Sequence, residues 1–205
     1  MSSKLTIMGS LKMSIVILTV ILAGFSIKAN AADYIVDKGV SIVKWEAKKV
    51  TGQHNGTISF SNGSISANNA TITGGTLVID MKTIVDVDLT DAGYNKKLIG
   101  HLSSEDFFAV DKFPEATLVV KKAVAVAGDD FKISGDLTIK GVTNPIEFSA
   151  KVKLVGDKLN AEGVMTINRA KFGVKYGSSS FFQGLGDKVI YDDFTLAFSI
   201  VASKK

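Results

Sequence analysis

Residues 146–154, Ile146-Glu147-Phe148-Ser149-Ala150-Lys151-Val152-Lys153-Leu154, alternate apolar and polar side chains without a break. Successive side chains of a strand point to opposite faces, so Ile146, Phe148, Ala150, Val152 and Leu154 share one face and the polar residues take the other. One face is therefore read as buried and the other as solvated, the signature of an antiparallel strand.

The same rhythm recurs along the chain. Thr76 to Met81 places Leu77, Ile79 and Met81 on one face, and Phe131-Lys132-Ile133, Leu137-Thr138-Ile139 and Phe194 to Ile200 repeat it. Thr57-Ile58-Ser59-Phe60 runs into Asn62-Gly63, a dipeptide favoured at hairpin corners because glycine accepts positive φ. About eight runs result, near 34–47, 52–60, 71–83, 115–126, 131–140, 145–155, 158–168 and 188–202. Eight antiparallel strands suit an up-and-down barrel, which can hold one small ligand and has no free edge. A two-sheet sandwich would use similar strands, and periodicity does not separate the two.

Two segments break the pattern. Asp91 to Leu102 reads as a short helix, and Ser103-Ser104-Glu105-Asp106 offers a capped start for a further turn, giving a helical insert near residues 91–108. Leu102 to Pro114, LSSEDFFAVDKFP, carries Phe107, Phe108 and Phe113, so the insert is expected to shape the mouth of the barrel. Lys175 to Lys188, with Phe181-Phe182 among glycines and serines, reads as a long loop of the kind that forms lids.

Residues 1–31 read as a secretory signal peptide. Lys4 and Lys12 precede the apolar run 15–23, and Ala29-Asn30-Ala31 supplies small residues for cleavage before Ala32. The run is shorter than the roughly 20 apolar residues a membrane-spanning helix needs. Residues 32–205 are then one exported domain, periplasmic or secreted. The formal charge of +4 comes from 24 basic and 20 acidic residues; without Lys4, Lys12 and Lys28 the balance is 21 to 20, a net of +1. With no basic block either, nucleic-acid binding is set aside.

The chain has no cysteine, which removes disulfides, thiol nucleophiles and thiolate metal ligands together. Its two histidines, His54 and His101, have no HxH or HxxxH spacing, so no metal site is read from them. Asp86, Asp88 and Asp91 lack the calcium-loop pattern and read as a solvated cluster at a strand end. There is no GxSxG elbow for Ser-His-Asp catalysis. Asn55-Gly56-Thr57, Asn62-Gly63-Ser64 and Asn69-Ala70-Thr71 match the glycosylation sequon, but the two Asn-Gly pairs read as hairpin corners. What remains is twelve Phe, four Tyr and one Trp, with Phe concentrated in the insert, the 172–182 region and the last strand. A barrel with two aromatic-rich flaps points to an elongated apolar pocket.

Four stretches together resemble the YceI-like family: Tyr34-Ile35-Val36-Asp37 leading to Ser41 and Trp45; His101 to Phe108 running to Phe113-Pro114; Gly135 to Pro145; and Asn168-Arg169-Ala170-Lys171-Phe172-Gly173-Val174. The resemblance implies an all-β, eight-stranded antiparallel, lipocalin-like barrel of periplasmic proteins that enclose a polyisoprenoid or other long-chain lipid. Two positions depart from the family's pattern, Lys171 in place of an acidic residue and Ala109 in place of Asp.

From that resemblance, Trp45, Phe148, Phe172 and Phe198 are expected to contact a lipid tail, with Leu98, Leu102, Phe107 and Phe108 forming wall or lid. His101 and Arg169 are the candidates for a polar or anionic head group; the other role open to Arg169 is a salt bridge to a strand-end carboxylate. No cofactor is implied. Partners are a long-chain isoprenoid or fatty ligand and a transient membrane contact, and flaps or edges leave a homodimer open. Two other functional classes stand beside a carrier. An enzyme on an isoprenoid or quinone substrate requires a clustered acid–base pair, and a structural or adhesion module requires a barrel filled by its own side chains.

Overall fold

The computed structural model describes residues 31–68 and 71–205. The expected signal peptide, apart from Ala31, lies outside the described residues, as do Asn69 and Ala70 of the third sequon.

Among the described residues, nine strands form one antiparallel sheet: β1 Ala32–Val36, β2 Ile42–Lys49, β3 Gly52–Asn68, β4 Thr71–Asp86, β5 Glu115–Ala127, β6 Asp130–Ile139, β7 Val142–Val155, β8 Lys158–Asn168 and β9 Ile190–Lys204. From β2 the order runs through β9, β8, β7, β6, β5 and β4, and the β3–β4 pairing closes the ring. β1 adds no ninth position. It lies between the same two neighbours as β2, with Ile35 opposite Ser64 of β3 and Val36 opposite Ala202 of β9, while β2 pairs Val43 with Ile58 and Phe198. β1 and β2 are one position broken at Asp37–Ser41, so the barrel has eight positions, as expected, and the 34–47 run is two strands.

The break is held by its own hydrogen bonds. Asp37 Oδ1 accepts from Gly39 N at 2.9 Å, and the Ser41 hydroxyl accepts from Val201 N at 3.0 Å.

Alternation is realised on β7: Ala150 and Val152 are buried, Ile146, Phe148 and Leu154 half-buried, and the residues between them exposed. The inward faces build two apolar clusters. The larger reaches from Tyr34 and Leu159 at one end to Trp45 and Val110 at the other; the smaller gathers Leu118, Leu137, Ile139, Ile167 and Phe172.

The Asn-Gly pairs are not hairpin corners. Gly56 lies inside β3 opposite Trp45 and Asp86, and Gly63 inside β3 opposite Leu77, just beyond a register shift between Phe60 and Asn62. Close approach explains both glycines. A Cβ on Gly56 would stand 1.8 Å from Val85 O, and one on Gly63 2.6 Å from a methyl of Val36. A real corner is Lys140-Gly141 between β6 and β7, where both residues take positive φ, 51° and 74°.

The interruption after β4 is a helix, α1 Ala92–Ser103, capped by Asp91, whose side chain accepts from Tyr94 N. The further helical turn expected at 103–106 is instead a knot of turns. Ser104 is extended and ends the helix, and its carbonyl accepts from both Phe107 N and Ala109 N. Ala109 is left-handed at φ 49°, which prevents a second helix from starting there.

Candidate functional site

The barrel encloses a cavity of about 530 Å³, within the usual range for a small-molecule site. Its walls are apolar nearly throughout. Along β3 the lining extends from His54 to Ile65, twelve residues whose eleven steps span roughly 36 Å of extended strand at about 3.3 Å each. The deep end is formed by Ile65, Ile72, Ile133, Val152 and Ile200. Polar groups collect at the other end, where the β2–β3 hairpin, α1 and residues 173–189 meet: Lys48, Lys49, His54, His101, Arg169 and Lys188, with the carboxylate of Asp187 among them.

Seven of the eight residues expected to contact a tail line this cavity: Trp45, Leu98, Leu102, Phe107, Phe108, Phe148 and Phe198. The indole N–H of Trp45 is satisfied by Val85 O at 3.1 Å, which leaves its ring free to serve as wall. Phe148 and Phe198 meet edge to face at 5.8 Å between centroids. Phe172 is the exception. Only 2% exposed, it packs with Ile167, Leu137 and Ile139 in the smaller cluster and is not part of the lining. It is carried by the 3-10 turn Arg169–Phe172 that follows β8, not by a strand.

His101 and Arg169 both reach the cavity but differ in freedom. The His101 ring stands edge-on to Tyr176 at 4.4 Å and to Phe107 at 5.3 Å. Arg169, 3% exposed, donates to three carbonyls: Val174 at 2.9 Å, Ile190 at 2.9 Å and Tyr191 at 3.2 Å. Its NH2 also lies 3.3 Å from Asp192 Oδ1, off the angle of a hydrogen bond. Burial lowers the guanidinium's pKa and Asp192 opposes that shift. The strand-end carboxylate is thus present, and Arg169 is chiefly a tie between the 3-10 turn and the start of β9.

Sequence reasoning missed Tyr176, Tyr191, Lys48, Lys49 and Lys188 at the mouth, and it misread the acidic cluster. Asp91 is a helix cap and stands apart. Asp86 is not solvated: its side chain is 0% exposed. His54 joins it from β3, with Nδ1 2.9 Å from Asp88 Oδ2 and 3.9 Å from Asp86 Oδ2. Asp86 Oδ1 accepts from Leu89 N and Asn95 Nδ2, while Oδ2 has no hydrogen-bond partner among the described residues. Burial raises the Asp86 carboxyl's pKa, and neighbouring Asp88 adds to the rise against the Leu89 N–H. For Asp88 burial acts in the same direction but is outweighed by the Asn55 N–H, His54 and Asp86, so its pKa is lowered.

The fold and its apolar interior agree with comparisons to known proteins. A family model for the YceI-like domain matches residues 34–202. The chain belongs to the YceI-like family. A protein YceI of Escherichia coli is 32% identical over 143 residues, covering 63% of this chain and 66% of that protein. UPF0312 proteins of Staphylococcus aureus are 36% identical over 92 residues, 42% of this chain, and the match spans about half (51%) of their length. Among solved structures, the YceI-like barrel is similar to BcnA of Burkholderia cenocepacia, with a TM-score of 0.65 at 24% identity over 82% of this chain and 99% of that one. A polyisoprenoid-binding domain from Saccharophagus degradans, implicated in plant cell wall breakdown, gives a TM-score of 0.60 at 18% identity, covering 84% and 98%.

In this YceI-like chain three of the four sequence stretches lock one another at the mouth end. Phe113 packs over Gly141, its ring 2.7 Å from where a Cβ would stand. Asn144 Nδ2 donates to Lys171 O at 3.0 Å, and the Arg169 guanidinium lies 5.4 Å from the centre of the Phe107 ring. The Lys171 departure leaves this lock intact, since its carbonyl makes the bond and its side chain is exposed.

Proposed function

We propose that this protein is an exported carrier or buffer that encloses a polyisoprenoid or other long-chain amphiphile in the barrel cavity. The observation that carries the reading is the long, apolar interior with its charged and aromatic residues gathered at one end. The name of the Saccharophagus domain agrees with it.

Each buried CH₂ contributes about 0.8 kcal/mol relative to water, but a bilayer buries the same tail equally well. The net preference for protein over membrane is therefore small, as a carrier requires, and polar contacts at the mouth tip it. His101 is the freer head-group candidate, because the Arg169 guanidinium is mostly consumed by carbonyls. Exposed Phe181 and Phe182, with Lys175 Nζ 5.1 Å from the centre of the Phe181 ring, supply apolar and cationic groups for transient contact with a membrane surface. The leader read over residues 1–31 supports a location in the periplasm or outside the cell.

The test is native mass spectrometry of protein purified from its exported compartment without detergent, followed by denaturing extraction. A stoichiometric long-chain isoprenoid or fatty species is expected, and a clean apo mass would favour a structural module. The enzyme reading has one observation in its favour, the His54–Asp88 pair beside the mouth. It predicts a chemically altered lipid after incubation, which the same extraction would reveal.

A further inference from the structure

We infer that His54, Asp86 and Asp88 form a binding site for a divalent transition-metal cation of the Zn²⁺ class, at the point where β3 meets the β4–α1 connection. One ligand atom from each residue lies within 4.8 Å of the others. The second observation is the state of Asp86: a side chain with no solvent exposure whose Oδ2 has no hydrogen-bond partner among the described residues and lies 3.9 Å from His54 Nδ1. A buried acceptor without a donor is costly, and a cation between the three groups is the partner that this arrangement lacks.

The geometry is close to what such an ion needs. Adjacent ligands stand about 3 Å apart around an octahedral ion and about 3.4 Å apart around a tetrahedral one, for metal–ligand distances near 2.1 Å. The observed separations from His54 Nδ1, 2.9 and 3.9 Å, bracket those values. The His54 ring is part-exposed, at 26% of its side-chain surface, and so has room to adjust toward an ion. Donor chemistry selects the ion: one imidazole nitrogen and two carboxylate oxygens suit zinc and its first-row neighbours, whereas calcium takes six to eight oxygens.

The positions are also braced from behind. Asp86 Oδ1 is held by Leu89 N and Asn95 Nδ2, and Asp88 Oδ1 by Asn55 N at 2.7 Å. Outer-shell bonds of this kind orient metal ligands. A cation here ties the strand carrying His54 to the segment leading into α1. Occupancy would then raise thermal stability by mass action and quiet the approach to the insert.

The experiment uses the full chain expressed without a polyhistidine tag, stripped with chelator and titrated calorimetrically with ZnCl₂, then with CoCl₂ while visible absorption is followed. One equivalent is expected to bind with micromolar or tighter affinity, with cobalt d–d bands and a rise of several degrees in Tm. His54→Ala and Asp88→Asn should each weaken binding at least tenfold, while Asp157→Asn, in the remote β7–β8 turn, should not. H54A keeps the test sound if D88N perturbs folding, because among the described residues the part-exposed His54 ring has a single hydrogen-bond partner, Asp88, to lose. Binding weaker than millimolar, or equal affinity in H54A and the parent, would overturn the assignment.

Discussion

The ring of His101, in the last turn of α1, stands edge-on to Tyr176 with centroids 4.4 Å apart, and this contact joins the two flaps at the cavity mouth. Aromatic pairs contribute about 1 kcal/mol beyond their burial, enough to hold two surface segments together without locking them. Tyr176→Ala is expected to speed hydrogen exchange in both α1 and residues 173–189 and to raise the off-rate of a bound long-chain lipid several-fold. Exchange that speeds in only one of the flaps would show that they open independently.

Filling the cavity and cutting its wall should have opposite effects. Ala116 lines the interior from β5, so Ala116→Phe is expected to abolish co-purifying lipid while the barrel remains folded. Phe172 packs behind the lining, so Phe172→Leu should cost about 1 kcal/mol of stability with lipid content unchanged. Mass spectrometry and urea unfolding of the two variants together check both statements.

Two glycines offer a paired measurement. Gly56→Ala drives a methyl group into Val85 O and the Trp45 ring, and a loss of about 3 kcal/mol or more is expected. Gly100, within α1, has nothing within 4 Å of an added Cβ. Gly100→Ala should therefore gain about 0.5–1 kcal/mol from helix propensity. Chemical denaturation gives both signs.

Arg169 is expected to behave as structure. Truncation to alanine strips the donor from three carbonyls and leaves Asp192 without its cation, a loss of about 3–5 kcal/mol. Arg169→Lys should recover little, since an ammonium cannot fork to three separated carbonyls. Full recovery by lysine in thermal unfolding would show that charge alone suffices.

The barrel was legible because alternation on strands such as β7 records which face is inside, and Asp91 ahead of an amphipathic segment marks α1 directly. Asn62-Gly63 misled because glycine serves turns and close contacts alike; only the pairing of Gly63 with Leu77, beneath Val36, decides between them. The break at Asp37–Ser41 was hidden because both halves keep the same inward face. Seven cavity-lining positions were legible through their aromatic or apolar character and their motifs. Phe172 was misplaced, since the 3-10 turn that carries it leaves no periodic signal. His54 escaped the acidic cluster for another reason: it stands more than thirty residues from Asp86 and Asp88 and meets them only through the register of β3 against β4.

Ser41 and Val201 bond to each other across 160 residues of chain, and β9 is the partner of both halves of the broken first position. The final strand is thus the clasp of the vessel. Until it is in place the rest is a curled trough with two raw edges, able neither to shut out water nor to retain a tail. A chain emerging from N- to C-terminus can therefore form a sealed interior only after Ile190–Lys204 has been delivered, so enclosure of any ligand is a late event of folding and cannot precede it.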